Sequence, residues 1–124
     1  MGYCVQVGDS MKVKTLATFS PEKYCRVLIE NTKGLVRLLC FEPRQSVAPH
    51  THPKSDECFF VVEGSGKITI DQEELDAESG CIFRVPAGVT HQWKNGTARL
   101  ILLSVLIPIS AYDLAHEASE QRFA

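Results

Sequence analysis

The sequence lacks the features that mark several large classes of protein. Its 124 residues contain no run of basic residues and carry a net charge of −2, which argues against a nucleic-acid partner. The longest apolar run, Leu100 to Ile107, is interrupted by Ser104 and is far shorter than the roughly 20 residues that span a bilayer. No apolar stretch follows a basic one near the N-terminus, so no signal peptide is expected. We therefore expect a cytoplasmic protein that associates with neither membrane nor nucleic acid.

Cysteine pairs and internal boundaries are missing as well. The chain has five cysteines, which is an odd number, and no two of them have the CxxC spacing of a zinc ribbon or a thioredoxin-like site. Reduced thiols packed among apolar side chains are the simpler interpretation. No repeat, low-complexity segment or linker divides the chain. We predict a single domain over residues 1–124, with a loosely held lead-in at 1–10.

What the sequence does contain is a series of short apolar segments separated by glycine, proline and asparagine. Such punctuation predicts β-strands joined by tight turns. The predicted strands lie at 12–18, 24–30, 35–41, 58–62, 67–71, 81–85, 91–94 and 99–107, with hairpin turns at 31–34, 63–66 and 95–96 and a polar, turn-rich stretch at 72–80. This pattern favours an all-β fold, as a closed or double-sheet antiparallel barrel.

Two helical segments and a partner subunit are also predicted. Ser20 and Pro21 suit the cap and the first residue of a single helical turn. Ser110 and Asp113 form a capping-box pattern, which predicts a short C-terminal helix over about 111–121. The strand at 99–107 is apolar on both faces. Both faces have to be covered, so we expect a homodimer.

Three metal-competent side chains lie within eight residues, and a fourth lies further along the chain. His50 and His52 are two apart, so an extended chain points both imidazoles to one face. Glu57 begins the next strand and can turn back toward them, while His91 comes from a different strand. Imidazole suits Fe, Ni, Cu and Zn, and a carboxylate adds oxygen character that suits Mn and Fe. Taken singly, each histidine could equally be a solvated loop residue.

The spacing around these residues resembles the two sequence motifs of the cupin family. In the first, residues 44–64, His50-Thr51-His52 is followed by four residues, Glu57, six residues and Gly64, and in the second, residues 80–95, Gly80, Pro86, Gly88, His91 and Asn95 match with no gap. The one departure is Arg44, where the family has glycine. The resemblance implies a small antiparallel jelly-roll barrel. It carries over His50, His52, Glu57 and His91 as ligands of one divalent transition metal per chain.

Several other side chains are candidates for a substrate pocket. Phe59 and Val61 share the strand parity of the glutamate, and Trp93 that of the last histidine, so all three are expected to line the pocket. Packing in the core or at a dimer contact is equally open for Trp93. Arg37, a charge on an apolar strand, is expected to pair with an acid at the barrel rim or to meet an anionic substrate. Similar alternatives stay open for Arg26, Arg84 and Tyr24.

The resemblance alone does not choose a function, because cupins include dioxygenases, decarboxylases, isomerases, lyases and binding modules. Our first hypothesis is a metal-dependent enzyme acting on a small organic molecule, by dioxygenase chemistry or by isomerase or lyase chemistry on a sugar acid. The metal would keep two positions open for water or substrate, and Glu57 could double as a proton shuttle. The alternative is a non-catalytic small-molecule binding or sensor module.

Overall fold

The computed structural model describes residues 8, 10, 12–22, 24–111 and 113, with residue 24 described by its backbone only. Within these residues, one helical turn precedes eight strands: α1 (Val13–Leu16), β1 (Tyr24–Glu30), β2 (Leu35–Phe41), β3 (Asp56–Glu63), β4 (Ser65–Ile70), β5 (Glu73–Glu78), β6 (Ile82–Val85), β7 (His91–Asn95) and β8 (Leu100–Ile107). The strands form a five-stranded sheet in the order β1-β2-β8-β3-β6 and a three-stranded sheet in the order β5-β4-β7. All pairs within the sheets are antiparallel. The predicted all-β jelly-roll barrel is confirmed.

The main core lies between the two sheets and is filled by alternate residues of the strands. On β3, Glu57, Phe59 and Val61 are buried, whereas Phe60 between them is 41% exposed. This alternation is expected of a strand with one face on the core. The cluster that fills the core includes Leu39, Phe41, Phe59, Val61, Ile68, Trp93, Leu100 and Leu102. The glutamate of the predicted metal site therefore points into the barrel together with the core side chains.

A second apolar cluster covers part of the outer face of the five-stranded sheet. Leu38 of β2 and Ile101 of β8 are buried there, and Val13 and Leu16 of α1 pack against them. The chain itself thus supplies part of the cover that the two apolar faces of β8 require. Among the described residues, the large apolar side chains that stay exposed are Ile29, Phe60, Ile82 and Ile107. The homodimer stays a prediction.

Two predictions near the start of the chain are wrong. The segment predicted as a strand at 12–18 contains the helical turn α1. A helical turn places residues three apart on one side, which lets Val13 and Leu16 both reach the second cluster. The helical turn predicted after Ser20 is absent from the described residues 20–22, where the Gln45 side chain instead donates to the carbonyl oxygens of Ser20 and Glu22 at 2.6 and 2.8 Å. The chain bends there before β1 begins.

Two predictions around the three-stranded sheet are also wrong. The polar stretch at 72–80 contains β5, which pairs with β4 along its whole length. The sequence of β5 resembles that of a loop because only two of its six side chains, Leu75 and Ala77, are covered, so the other four are polar. The Asn95-Gly96 turn does not close a hairpin, since β7 pairs with β4 while β8 pairs with β2 and β3. That turn instead carries the chain from one sheet to the other.

The predicted C-terminal helix over 111–121 lies almost wholly outside the described residues. Its predicted cap is present, because the Ser110 amide donates to Asp113 Oδ2 at 2.9 Å and the Asp113 amide donates to Ser110 Oγ at 3.2 Å. This reciprocal pair is the geometry of a capping box. Among the residues that the structure describes, no helix has the length and apolar character required to cross a membrane.

Arg44, at the position where the resembled motif has glycine, adopts a backbone conformation that glycine favours. Its φ is +68°, in the left-handed region that glycine adopts readily and other residues adopt at a cost of about 1–2 kcal/mol. The Arg44 amide donates to the Gly96 carbonyl at 2.8 Å, which anchors this turn to the crossing between the sheets. Arg44 therefore occupies a turn in which glycine would be the less strained residue.

Candidate metal centre

Four side chains from three parts of the chain converge at one end of the barrel. His50 and His52 lie in the segment between β2 and β3, Glu57 is the second residue of β3, and His91 is the first residue of β7. The backbones of His50 and His91 exchange two hydrogen bonds of 3.0 Å, which fixes the loop segment against the three-stranded sheet. One potential ligand atom from each of the four side chains lies within 4.8 Å of the others. The structure thus brings all four predicted ligands together.

The centre of this cluster is buried, and nitrogen and oxygen atoms that could bind a metal lie close together there. Glu57 and His91 are each 1% exposed. Glu57 Oε1 lies 3.0 Å from His91 Nε2 and 3.1 Å from His52 Nε2. Despite this proximity, neither Glu57 Oε1 nor His91 Nε2 has a hydrogen-bond partner among the described residues. Buried polar atoms are normally partnered, so lone pairs that converge in this way fit a divalent cation between them.

The tautomers of two histidines are set by their outer ring nitrogens. His50 Nδ1–H donates to the carbonyl oxygen of Ala48 at 2.9 Å, and His52 Nδ1–H donates to Asp113 Oδ1 at 2.9 Å. A ring that donates from Nδ1 keeps its lone pair on Nε2 when neutral. Both imidazoles are therefore prepared to bind through Nε2, and carboxylate and carbonyl partners of this kind accompany metal-binding histidines in general.

The Glu57 carboxylate is divided between two roles. Oε1 faces the histidines, while Oε2 accepts hydrogen bonds from Arg37 Nη2 at 2.9 Å and from the Ser104 hydroxyl. Burial by itself would raise the pKa of Glu57, but the His52 and His91 rings and the Arg37 guanidinium outweigh burial and hold the pKa well below its ordinary value. The carboxylate is ionised and presents one oxygen to the centre.

His50 differs from its neighbours in exposure and in its titration. It is half-buried, whereas His52 is 2% exposed, so the His50 side is the more open approach to the centre. Burial and the neighbouring His91 lower the pKa of His50 to about 4. Its imidazole is therefore neutral at physiological pH, which is the form that binds a metal.

Acidification of the metal-free protein is expected to lower its stability as the pH falls from 6.5 towards about 4. In this window unfolded His50 takes up a proton and folded His50 does not, so the free energy of unfolding rises with pH by up to about 1.4 kcal/mol per unit. Urea denaturation of chelator-treated protein at a series of pH values measures the slope. His50→Gln should flatten it, and an unchanged slope in that variant would contradict the prediction.

The structure corrects the predicted position of Arg37. Arg37 does pair with an acid, which is one of the two alternatives stated from the sequence, but the acid is the buried Glu57 and the Arg37 side chain is only 4% exposed. The pair lies inside the barrel and not at its rim. Arg84 pairs with Asp56 at 2.9 Å on the surface, and Arg26 is exposed. The side chain of Tyr24 lies outside the described residues.

The predicted pocket residues divide into two groups. Phe59 and Trp93 line a cavity of about 20 Å³ beside the four side chains, with Arg37. The other residues around this cavity are Leu39, Phe41, Val47, His50 and Glu57. Val61 has the predicted inward parity, but it is fully buried in the core and is not among the residues that line the cavity. Val61 therefore does not line this small cavity, and its place in a substrate pocket stays a prediction.

Two residues that the sequence analysis did not assign to the site contact it directly. Ser104 donates to Glu57, and Asp113 accepts from His52. Ser104 carries a visible signal, because it is the one polar residue in the run Leu100 to Ile107. Asp113 carries none beyond its capping pattern. Burial raises the pKa of Asp113, but hydrogen bonds from Ser55, His52 and Ser110 outweigh burial and lower it, so Asp113 is an ionised acceptor.

Known proteins share this domain and its fold. A family model described as the cupin domain matches residues 37–106, a range that contains all four converging side chains. Polyketide synthase CurC of Streptomyces cyaneus is 29% identical over 86 residues, which are 66% of this chain and 56% of CurC. The match therefore spans little more than half of the length of CurC.

Solved structures extend the likeness to the whole barrel. A protein from Thermus thermophilus superposes with a TM-score of 0.76 at 26% identity, over 80% of this chain and 96% of that protein. A predicted oxalate decarboxylase from Thermotoga maritima gives a TM-score of 0.65 at 22% identity, over 68% of this chain and 79% of that protein. At 22% identity, the second likeness supports the fold and nothing finer.

Proposed function

The chain belongs to the cupin family, and on that premise we propose that it binds one divalent transition metal and acts on a small oxygen-bearing molecule held beside it. The observation that carries the proposal is the convergence of three imidazoles and one carboxylate within 4.8 Å. As metal ligands, three imidazoles and one carboxylate would offset only one charge of a divalent ion. When bound, the metal supplies a Lewis acid with positions left for water or substrate. Metal analysis of the purified protein identifies the ion among Fe, Mn, Ni, Zn and Cu.

In this proposal Glu57 serves as a ligand and not as a proton shuttle. One of its oxygens is held by Arg37 and Ser104, and the other faces the histidines. A carboxylate with both oxygens engaged and a depressed pKa is a poor proton acceptor at neutral pH. The contribution of the chain is to fix the ligand geometry, to exclude water from the inner side and to leave the half-buried His50 side as the approach.

The dimensions of the site favour a compact substrate. The cavity of about 20 Å³ beside the cluster holds little more than one water molecule. A longer substrate has to stay outside it, on the His50 side, or displace the apolar side chains that line it. We favour a small oxygen-bearing acid or ketone.

The same small cavity supports a second candidate, a binding or sensor module without turnover. A reaction screen of metal-reconstituted protein separates the two functions. Enzymatic function predicts turnover of a small acid, diketone or sugar acid that disappears with chelator, and dependence on O₂ identifies dioxygenase chemistry. Tight binding of such a molecule with no product under air or nitrogen would favour the module. Absence of both metal uptake and small-molecule binding would overturn the proposal.

Trp93 is expected to donate a hydrogen bond to the bound molecule. It is 2% exposed, lines the small cavity, and has an indole Nε1 without a hydrogen-bond partner among the described residues. Trp93→Phe keeps the aromatic contact with Phe59, whose ring centroid lies 5.3 Å away, and removes the donor. Because a hydrogen bond to a charged group contributes about 1.5–3 kcal/mol, formate or acetate should bind the Co(II)-loaded variant at least about tenfold more weakly.

Visible absorption titration of the Co(II) form measures this affinity. The metal content of Trp93→Phe should equal that of the parent protein, since Trp93 is not one of the four converging side chains. Equal affinity of the variant and the parent for both anions would contradict the assigned role of the indole donor.

A further inference from the structure

We infer that Asp113 is a positioning residue that sets metal affinity through His52 and makes the segment after β8 a part of the metal centre. The inference rests on the proposed metal-binding function. Asp113 is 2% exposed although it follows the last strand of the barrel and lies 61 positions from His52. Its Oδ1 accepts from His52 Nδ1 at 2.9 Å. A buried carboxylate in this position is unexpected for a residue that serves only as a helix cap.

The two oxygens of Asp113 are used for different purposes. Oδ2 accepts from the Ser110 amide at 2.9 Å, from the Ser110 hydroxyl at 2.8 Å, and from the Ser55 hydroxyl. These donors hold the carboxylate in one orientation and leave Oδ1 directed at the imidazole. The capping box therefore orients a carboxylate whose other oxygen orients a histidine.

The consequence for His52 is a fixed tautomer and a fixed ring plane. With Nδ1–H donated to Asp113, the lone pair lies on Nε2, which is 3.1 Å from Glu57 Oε1 at the centre of the cluster. A carboxylate on the outer nitrogen also makes the ring a stronger donor to a metal. Without Asp113, the imidazole can rotate or carry its proton on Nε2, and either change removes a ligand.

Hydrogen bonds join Pro108 and Asp113, which follow β8, to the loop that carries His52. Ser55 lies between the two ligand stretches of the first motif, and its hydroxyl contacts both the Pro108 carbonyl oxygen and Asp113 Oδ2. Pro108 and Asp113 thus both contact the loop through Ser55, and Asp113 also contacts it through His52. One carboxylate therefore joins Ser110, Ser55 and His52.

The test is a double-mutant cycle on metal affinity, measured with Co(II) by visible absorption. Asp113→Ala should weaken Co(II) binding about 10- to 100-fold, the range found for outer-shell partners of metal-binding histidines. In a His52→Ala background the same substitution should have little further effect, because Asp113 acts through the ring that is already absent. Asp76→Ala is the matched control, since Asp76 is an exposed aspartate paired with Lys67 at 2.7 Å and far from the centre.

Each outcome of the cycle supports or overturns the inference. A Co(II) affinity of Asp113→Ala within threefold of the parent overturns it, as does an equal loss in the parent and His52→Ala backgrounds, which would mean a general effect on folding. If Asp113→Ala does not fold, Asp113→Asn takes its place, with a weaker loss expected and no loss overturning the inference. Failure of the parent protein to bind Co(II) would instead remove the proposed function itself.

Discussion

Glu57→Gln is expected to reduce divalent metal affinity more than about 100-fold, beyond the range of outer-shell changes. Two effects combine in this variant. The amide removes the negative charge of the site, and whichever way it is oriented, its –NH₂ group faces either the histidine Nε2 atoms or the Arg37 and Ser104 donors. A neutral amide therefore cannot present an acceptor oxygen both to the metal and to the Arg37 and Ser104 donors, as the carboxylate does.

Competition with a chromophoric chelator measures the affinity of this variant for Zn(II) or Co(II). Glu74→Gln is the matched control, because Glu74 lies on β5 with an exposed side chain. Circular dichroism checks that the variant is folded. Retention of one metal per chain at parental affinity by folded Glu57→Gln would show that Glu57 is not a ligand.

Arg37→Met is expected to destabilise the metal-free protein by about 3–5 kcal/mol, the usual cost of leaving one member of a buried ion pair without its partner. Arg37 and Glu57 are 4% and 1% exposed at their side chains, and 2.9 Å separates the guanidinium from the carboxylate. Methionine fills a similar volume and carries no charge, so the loss reports on the charge left behind. Urea denaturation of chelator-treated protein gives the free energy of unfolding.

Two companion measurements separate charge from packing in this prediction. Adding Glu57→Gln to Arg37→Met removes the unpaired carboxylate, and the double variant should be more stable than Arg37→Met alone. Saturating metal should narrow the difference between Arg37→Met and the parent, because a cation on the other oxygen replaces part of the lost charge. A double variant less stable than Arg37→Met would point to lost packing as the cause.

The four converging side chains could be predicted because their signal is local. Two histidines two apart share a strand face in any extended segment, and the spacing to Glu57 and His91 is written in the linear sequence. The residues that support these four side chains could not be predicted in the same way, because their contacts depend on the order of the strands. Arg37 and Ser104 are neighbours only because β8, the last strand, lies between β2 and β3, where Arg37 pairs with Ser104 and Ser104 with Phe59.

That strand order cannot be read from periodicity. Three of the contacts that support the ligands join distant positions, with separations of 20 for Arg37 and Glu57, 47 for Ser104 and Glu57, and 61 for His52 and Asp113. The contact of His50 with the Ala48 carbonyl, two positions away, is the local exception among them. The fold errors have a similar origin. On β5 only Leu75 and Ala77 are covered, and α1 is a four-residue turn without a side-chain cap whose Val13 and Leu16 pack on the second cluster.

The division of the ligands between the two sheets has a consequence for the barrel as a whole. Glu57 belongs to the five-stranded sheet and His91 to the three-stranded one. An ion held by both would act as a reversible cross-link that resists separation of the sheets. Since a ligand that binds only the folded state stabilises it by about 2.7 kcal/mol at a hundred times its Kd, resistance of the protein to heat and proteolysis would follow the supply of metal in its surroundings.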